Sequence, residues 1–221
     1  MVIEKSTFDF LKALSKNNNR PWFEKNRDRY EEALKNFELF ITELIRKCAV
    51  NDKALANADP KKAIFRIYRD IRFSKDKTPY KTHLSAAINS AGRKGASFGF
   101  YVQVGPGVSF LGGGAWQPEA DKLKKIRQEI DYNFDSFKKI INDKKFKSRY
   151  GELYNEYKLV NPPKGYDKDN PAIEWLKLTT FVAGIDLADK VVLDKKFLNQ
   201  CVDGYKILKP LNDFLNTAVH S

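Results

Sequence analysis

Ser97-Phe98-Gly99-Phe100-Tyr101-Val102-Gln103-Val104-Gly105-Pro106-Gly107-Val108-Ser109-Phe110-Leu111 is the stretch that decides the fold class. Phe98, Phe100, Val102 and Val104 alternate with Gly99, Tyr101 and Gln103, the period of a half-buried strand. Gly105-Pro106-Gly107 supplies turn chemistry, because proline presets φ and glycine tolerates positive φ. Val108 to Leu111 then returns, which predicts an antiparallel hairpin.

Working outward, Gly112-Gly113-Gly114-Ala115-Trp116-Gln117-Pro118 leads into a helix that starts at Pro118, with Glu119 and Asp121 in its first turn and Lys124, Lys125 and Arg127 further on. That order complements the helix dipole. Leu123, Ile126 and Ile130 mark its buried face, and Asn133 to Asp143 reads as a shorter helix on Phe134, Phe137 and Ile141. Upstream, Leu84 to Ser90 reads as a second strand, ended by Ala91-Gly92-Arg93-Lys94-Gly95. Residues 63–68 alternate as a strand does, although a helix over Arg66 to Phe73 would satisfy the same residues. Either way at least two arginines stand beside Asp70.

Ser6 to Ser15 predicts a first helix with Ser6 and Thr7 as caps. Pro21 opens a long helix carrying Phe23, Arg27, Tyr30, Leu34, Phe37, Ile41, Leu44 and Cys48 on one stripe. Residues 145–170 are irregular, with a turn-rich Asn161-Pro162-Pro163-Lys164-Gly165-Tyr166. A short helix follows Asn170-Pro171, Leu178 to Ala183 reads as a strand, and 194–219 reads as a closing helix strained at Pro210. The strands cluster rather than alternate with helices, which argues against a doubly wound parallel sheet. The prediction is α+β: one domain over residues 1–221, an antiparallel sheet with a central hairpin, packed against several helices including a long N-terminal and a C-terminal one.

The chain carries 40 Lys and Arg against 28 Asp and Glu, a net charge of +12. Half of that excess falls in residues 61–81, where eight basic residues meet two aspartates. The core of the segment is Arg66-Ile67-Tyr68-Arg69-Asp70-Ile71-Arg72-Phe73-Ser74-Lys75-Asp76-Lys77-Thr78-Pro79-Tyr80-Lys81. Two acids do not neutralise eight bases, and a surplus cation has to reach water or an anion. Arginine grips phosphate or carboxylate with two N–H groups, and lysine supplies a point charge. The candidate ligand-binding residues are therefore Arg66, Arg69, Asp70, Arg72, Lys77, Tyr80, Lys81 and, on an opposite wall beside the glycine run, Trp116. A plain structural reading stands beside this one: an arginine pairs with Asp70, Lys75 to Pro79 is a turn, and Tyr80 fills the core. Weak catalytic candidates are Tyr80, His83 and Asp70, His83 because imidazole titrates near neutral pH.

Several chemistries lack their residues. His83 and His220 have no zinc spacing, no cysteine cluster exists, and no metal site is expected. Neither a phosphate loop nor a dinucleotide fingerprint occurs, and no serine sits on a strand–turn–helix elbow. Cys48 and Cys201 read as buried free thiols of a reducing compartment. No apolar run approaches a membrane span of about 18 residues, and the first residues lack a secretory signal. The expectation is a cytoplasmic protein with no membrane partner. The triple glycine reads either as a close packing contact or turn, or as a backbone that faces a ligand from a helix N-terminus.

The pattern Arg66-x-x-Arg69-Asp70-x-Arg72-Phe73, followed by Asp76-Lys77 and Tyr80, resembles the hallmark of the bacterial family called domain of unknown function 2461. Asn19-Arg20-Pro21-Trp22-Phe23, the glycines before Trp116-Gln117-Pro118, and Pro163-Lys164-Gly165-Tyr166 followed by Asp169-Asn170-Pro171 are also similar. The resemblance covers nearly the whole chain and implies a compact bacterial domain of about this length. It implies no activity and no cofactor. Many members carry histidine before the last of those prolines; Asn170 stands there in this chain and offers no proton transfer. Three functions follow for testing: a pocket for a small phosphorylated or carboxylated ligand, a nucleic-acid-binding surface, and a module in which the motif serves the fold alone.

Overall fold

The computed structural model describes residues 1–90 and 97–220; the predicted strand end at 91–95 lies outside the described residues. The fold is α+β. Its sheet has four antiparallel strands in the order β1 (Leu84–Ile88), β2 (Gly99–Val104), β3 (Ser109–Ala115) and β4 (Phe181–Leu187). The predicted hairpin is β2 and β3. Its turn closes through Val108 N–H on the Gly105 carbonyl at 3.1 Å, and Ser109 Oγ donates to that same carbonyl at 2.8 Å.

The chain resolves into two compact units. The first contains α1 (Lys5–Lys16), α2 (Arg20–Lys25), α3 (Arg27–Ala49), a 3-10 turn (Lys53–Leu55), α4 (Pro60–Ala63), β1, the hairpin between Tyr101 and Leu111, and residues 186–203. Helix α1 buries Phe8, Phe10, Leu11 and Leu14. Ser6 and Thr7 do not cap it: Glu4 holds the cap position, and Thr7 Oγ1 instead donates to Asn36 Oδ1 at 2.9 Å. Asn36 is buried yet satisfied, because its Oδ1 also accepts from Glu4 N–H at 3.0 Å and its Nδ2 donates to the Val2 carbonyl at 3.0 Å. That arrangement satisfies both ends of the buried Asn36 amide.

The long helix predicted from Pro21 is two helices. Asn19 caps α2 by accepting from Trp22 N–H at 3.0 Å, with Pro21 in the first turn. The chain then leaves helical geometry at Asn26, where φ is −117° and the side-chain Nδ2 donates to the Trp22 carbonyl at 2.9 Å. The apolar stripe crosses this break in register, Phe23 and Tyr30 standing 5.0 Å apart by ring centroid, so periodicity could not reveal it. Phe37, Phe40, Ile41, Leu44 and Cys48 are buried along α3, and Phe40 stacks on Phe197 at 5.2 Å. Cys48 and Cys201 are both buried.

The second unit holds residues 97–100, 112–185 and 204–220. It contains α5 (Ala120–Tyr132), α6 (Phe134–Ile141), α7 (Lys144–Tyr150), α8 (Ile173–Leu176) and most of β4. Helix α7, capped by Asp143 on Lys145 and Phe146 N–H, was read as irregular chain. Helix α9 (Asp189–Val192) belongs to the first unit. Strand β4 begins three residues later than predicted. Helix α10 (Phe197–His220) runs through Pro210.

The glycine run is neither a turn nor the approach to a helix. Gly112, Gly113 and Gly114 continue β3 to Ala115. A Cβ on Gly113 would stand 2.5 Å from the Gly99 carbonyl oxygen, and one on Gly114, where φ is +115°, would stand 2.0 Å from the Phe181 carbonyl oxygen. Real Cβ atoms do not approach backbone so closely, so these positions require glycine for packing.

Candidate functional site

Asp59 caps α4 by accepting from Lys61 N–H at 2.9 Å, and the chain then leaves helical geometry at Ile64. Ile64 forms an antiparallel bridge with Ala86, and Tyr68 forms one with Tyr80. Arg69 N–H on the Pro79 carbonyl (2.9 Å) and Lys81 N–H on the Ile67 carbonyl (2.8 Å) flank the second bridge. The strand predicted over 63–68 is reduced to these two isolated bridges, with Ala63 inside α4 and a bend at Ile67, and no helix forms over Arg66 to Phe73. Asp70 to Lys77 form the tip of a loop closed by these bonds.

Two devices fix the base of that loop. The Asn18 side chain donates to the Tyr80 carbonyl at 2.9 Å and accepts from Tyr80 N–H at 3.1 Å. Tyr80, 3% exposed, stacks on Phe23 with centroids 4.0 Å apart and planes 12° apart. Its burial, and secondarily the Tyr68 phenol, push its pKa up. Tyr80 therefore belongs to the aromatic core, not to the loop surface.

The arginines separate. Arg69, a quarter exposed, turns into the loop and donates to Asp76, to Thr78 Oγ1, and to the Thr78 carbonyl at 3.1 Å. Asp76 accepts from Thr78 N–H at 2.9 Å, and the Thr78 amide and hydroxyl, followed by Arg69, hold its carboxyl down at about 2. Arg72 pairs with Asp70 instead, through Nε at 3.0 Å and NH2 at 2.7 Å. That pairing, then the Arg72 backbone amide, lowers Asp70 to about 2, with Arg66 adding a smaller effect. Lys77 Nζ donates to the Ile71 carbonyl at 3.0 Å, and Lys81 Nζ stands 5.3 Å from the Phe65 ring. Each aspartate takes one arginine. Arg66, Arg72 and Lys75 are exposed, Arg72 remaining so in its pair with Asp70; Phe73 is 96% exposed, with the Arg72 guanidinium 5.8 Å from its ring.

His83, half-buried, has its pKa pushed down to about 4 by desolvation and then by Lys81, so it is neutral at pH 7. A Cβ on Gly105 would lie 2.8 Å from the His83 Cβ, so the ring's base is packed tightly against the hairpin turn. Trp116 belongs to the second unit, where it is 55% exposed and meets Tyr157 edge-on at 5.8 Å. Among the described residues no group of three or more His, Cys, Asp or Glu side chains is arranged to hold a metal, and no helix is long and apolar enough to cross a membrane.

In the sequence Arg127 stands with Lys124 and Lys125 as a later basic residue complementing the helix dipole. The structure places it half-buried, its Nε covered and without a hydrogen-bond partner. The signal was its place between Ile126 and Ile130, on the flank of the buried stripe rather than opposite it.

The family model for conserved hypothetical proteins, DUF2461, matches residues 6–214. The chain belongs to this family. Neither a curated protein nor a solved structure matches it. Membership of DUF2461 accounts for the extent of the sequence resemblance and carries no activity with it.

Proposed function

We propose that this DUF2461 member binds a phosphate- or carboxylate-bearing ligand on the outer face of the Arg66–Lys81 loop. The observation that carries the reading is Phe73. A large aromatic ring left 96% exposed forgoes roughly 2 kcal/mol of burial, and here it sits on a loop whose base is tied by Asn18 and Tyr80. The Arg72 guanidinium stands 5.8 Å from the ring with its fork oriented by Asp70, and Arg66 and Lys75 are exposed cations of the same segment. An anionic group meets the arginines while a flat moiety stacks on the ring. Arg69 acts through the loop, which it braces, and not on the ligand.

The same exposed ring supports a second reading, single-stranded nucleic acid, in which a base stacks on Phe73 and phosphates meet the cations. Titrations with inorganic phosphate, adenosine monophosphate and a short oligothymidylate, repeated across a range of salt concentrations, test both. Phe73→Ala and Arg72→Ala are expected to weaken binding about tenfold or more each, with Tm unchanged. A steep salt dependence restricted to the oligonucleotide selects the second reading. If both variants bind every probe as the wild type does, the loop is not the site.

A further inference from the structure

The second unit holds a cavity of about 260 Å³. Its walls come from the end of α6 (Ile141), from α7 (Lys147), from the chain after α7 (Glu152 to Lys158), and from α8 and the residues just beyond it (Glu174, Trp175 and Leu178). The chain after α7 is tied down. Tyr154 N–H donates to the Val182 carbonyl in β4 at 2.8 Å, and Leu159 N–H donates to the Lys177 carbonyl at 2.9 Å. Between them Thr179 Oγ1 donates to the Tyr157 carbonyl at 2.6 Å. One partner of each pair advances along the chain as the other retreats, which is antiparallel register. The α8 wall is equally fixed: Trp175 packs on Phe134 with ring centroids 5.1 Å apart, and Arg127 donates to the Leu178 carbonyl at 3.1 Å.

The lining divides by depth. Ile141 and Leu178 are buried and Trp175 is half-buried, whereas Lys147, Glu152, Lys158 and Glu174 are exposed. An apolar floor therefore lies under a charged mouth. The two lysines and two glutamates of the mouth cancel, in a chain whose net charge is +12. One pair is closed on itself: Lys158 donates to Glu174, and Lys177 stands 3.8 Å from the other oxygen of that carboxylate. The other pair is open. Among the described residues the Lys147 and Glu152 side chains have no hydrogen bond or ion pair to protein.

A simple anion that meets Lys147 also meets Glu152, and a simple cation has the reverse difficulty. A molecule with one charge of each sign suits both. The volume lies below the roughly 300 to 1,000 Å³ of pockets for drug-sized ligands, so the molecule is small. The floor calls for an apolar group on the same molecule.

We infer that this cavity binds a free amino acid with an apolar side chain, Lys147 meeting its carboxylate, Glu152 its ammonium group, and Ile141, Trp175 and Leu178 its side chain. The site shares no residue with the loop around Phe73 and does not depend on that loop's binding a ligand.

L-leucine and L-phenylalanine, titrated into the full chain near neutral pH, test this beside two blocked forms. N-acetyl-L-leucine lacks the positive charge, and L-leucinamide lacks the negative one. One readout is the heat of binding. The other is the proton–nitrogen cross-peak of the Trp175 indole N–H, identified by its disappearance in Trp175→Phe. Leucine or phenylalanine is expected to move that cross-peak to saturation, and each blocked leucine to bind at least about tenfold more weakly than leucine. Lys147→Gln is expected to bind leucine no more tightly than leucinamide, and Glu152→Gln to bind leucine no more tightly than N-acetyl-leucine. Both variants should keep the wild-type Tm, since these side chains are exposed and make no bond to protein. Phe73→Ala is expected to bind leucine as the wild type does. A Trp175 cross-peak that neither amino acid moves at millimolar concentration overturns the inference. So does N-acetyl-leucine that binds as tightly as leucine, because the cavity then reads an anion alone. Retention of the full preference for leucine over both blocked forms in Lys147→Gln and in Glu152→Gln overturns it as well. Loss of leucine binding in Phe73→Ala, with its retention in Lys147→Gln, assigns the amino acid to the loop and has the same consequence.

Discussion

The basic loop and the glycine run look alike in sequence, since both are made of residue types that serve ligands, but they do opposite things. Gly112 to Gly114 lie inside a strand, and at Gly113 and Gly114 the Gly99 and Phe181 carbonyls leave no room for a side chain. Asp70 to Lys77 leave the ladder and hold an aromatic ring in solvent. Residue type alone therefore does not separate a contact from a site. What separates them is where the backbone hydrogen bonds go: into sheet neighbours for the glycines, and into side chains of the loop itself around Asp76.

The largest expected effect breaks the glycine side of this comparison. Gly114→Ala places a methyl against the Phe181 carbonyl at a left-handed φ, and a loss of at least about 4 kcal/mol, or failure to fold, is expected in urea unfolding. Arg69→Ala should cost about 2 kcal/mol, because the part-buried Thr78 carbonyl and hydroxyl lose their donor together. Its distinguishing mark is faster hydrogen exchange confined to the loop amides. Asn18→Ala removes both bonds to Tyr80 and should cost about 1 to 2 kcal/mol, with the same local exchange pattern.

The continuation of the loop at His83 adds a pH dependence that the glycine strand, having nothing to titrate, lacks. The folded pKa of about 4 lies below the ordinary 6.5, so between these values the unfolded chain binds the extra proton and stability falls as pH falls. Allowing for partial exposure, the loss should be on the order of 1 to 2 kcal/mol between pH 6.5 and 4, and His83→Asn should flatten it in urea midpoints measured across that window. Asp70 and Asp76, each held at about 2, act only below about pH 3.8 and do not confuse the reading. The smallest effect sharpens the contrast most. Phe73→Ala should change stability by less than about 0.5 kcal/mol while removing ligand binding, the reverse of Gly114→Ala.

The hairpin was legible because Phe100, Val102 and Val104 alternate without interruption and Gly105-Pro106-Gly107 closes them. The extension of β3 through three glycines was not, since a strand without side chains has no pattern to read. The pairing of Asp70 with Arg72 follows from nearness in sequence. The capture of Arg69 by Asp76 does not, because seven residues separate them and only the Tyr68–Tyr80 bridge brings them together. Arg127 escaped for a related reason. Its charge complements the dipole of α5 well enough to explain its presence, and its bond to the Leu178 carbonyl joins positions 51 apart in sequence.

Asn18 has one further consequence. In an antiparallel pair, a residue facing its partner between two bridging bonds points its own N–H and C=O outward. Tyr80 does so, and the Asn18 amide occupies both groups. Asn216 treats Phe98 in the same way, accepting at 2.7 Å and donating at 3.0 Å. Each amide imitates the next strand without being one. At both places the outward N–H and C=O of extended backbone outside the four strands are occupied, so these groups are closed to a foreign chain.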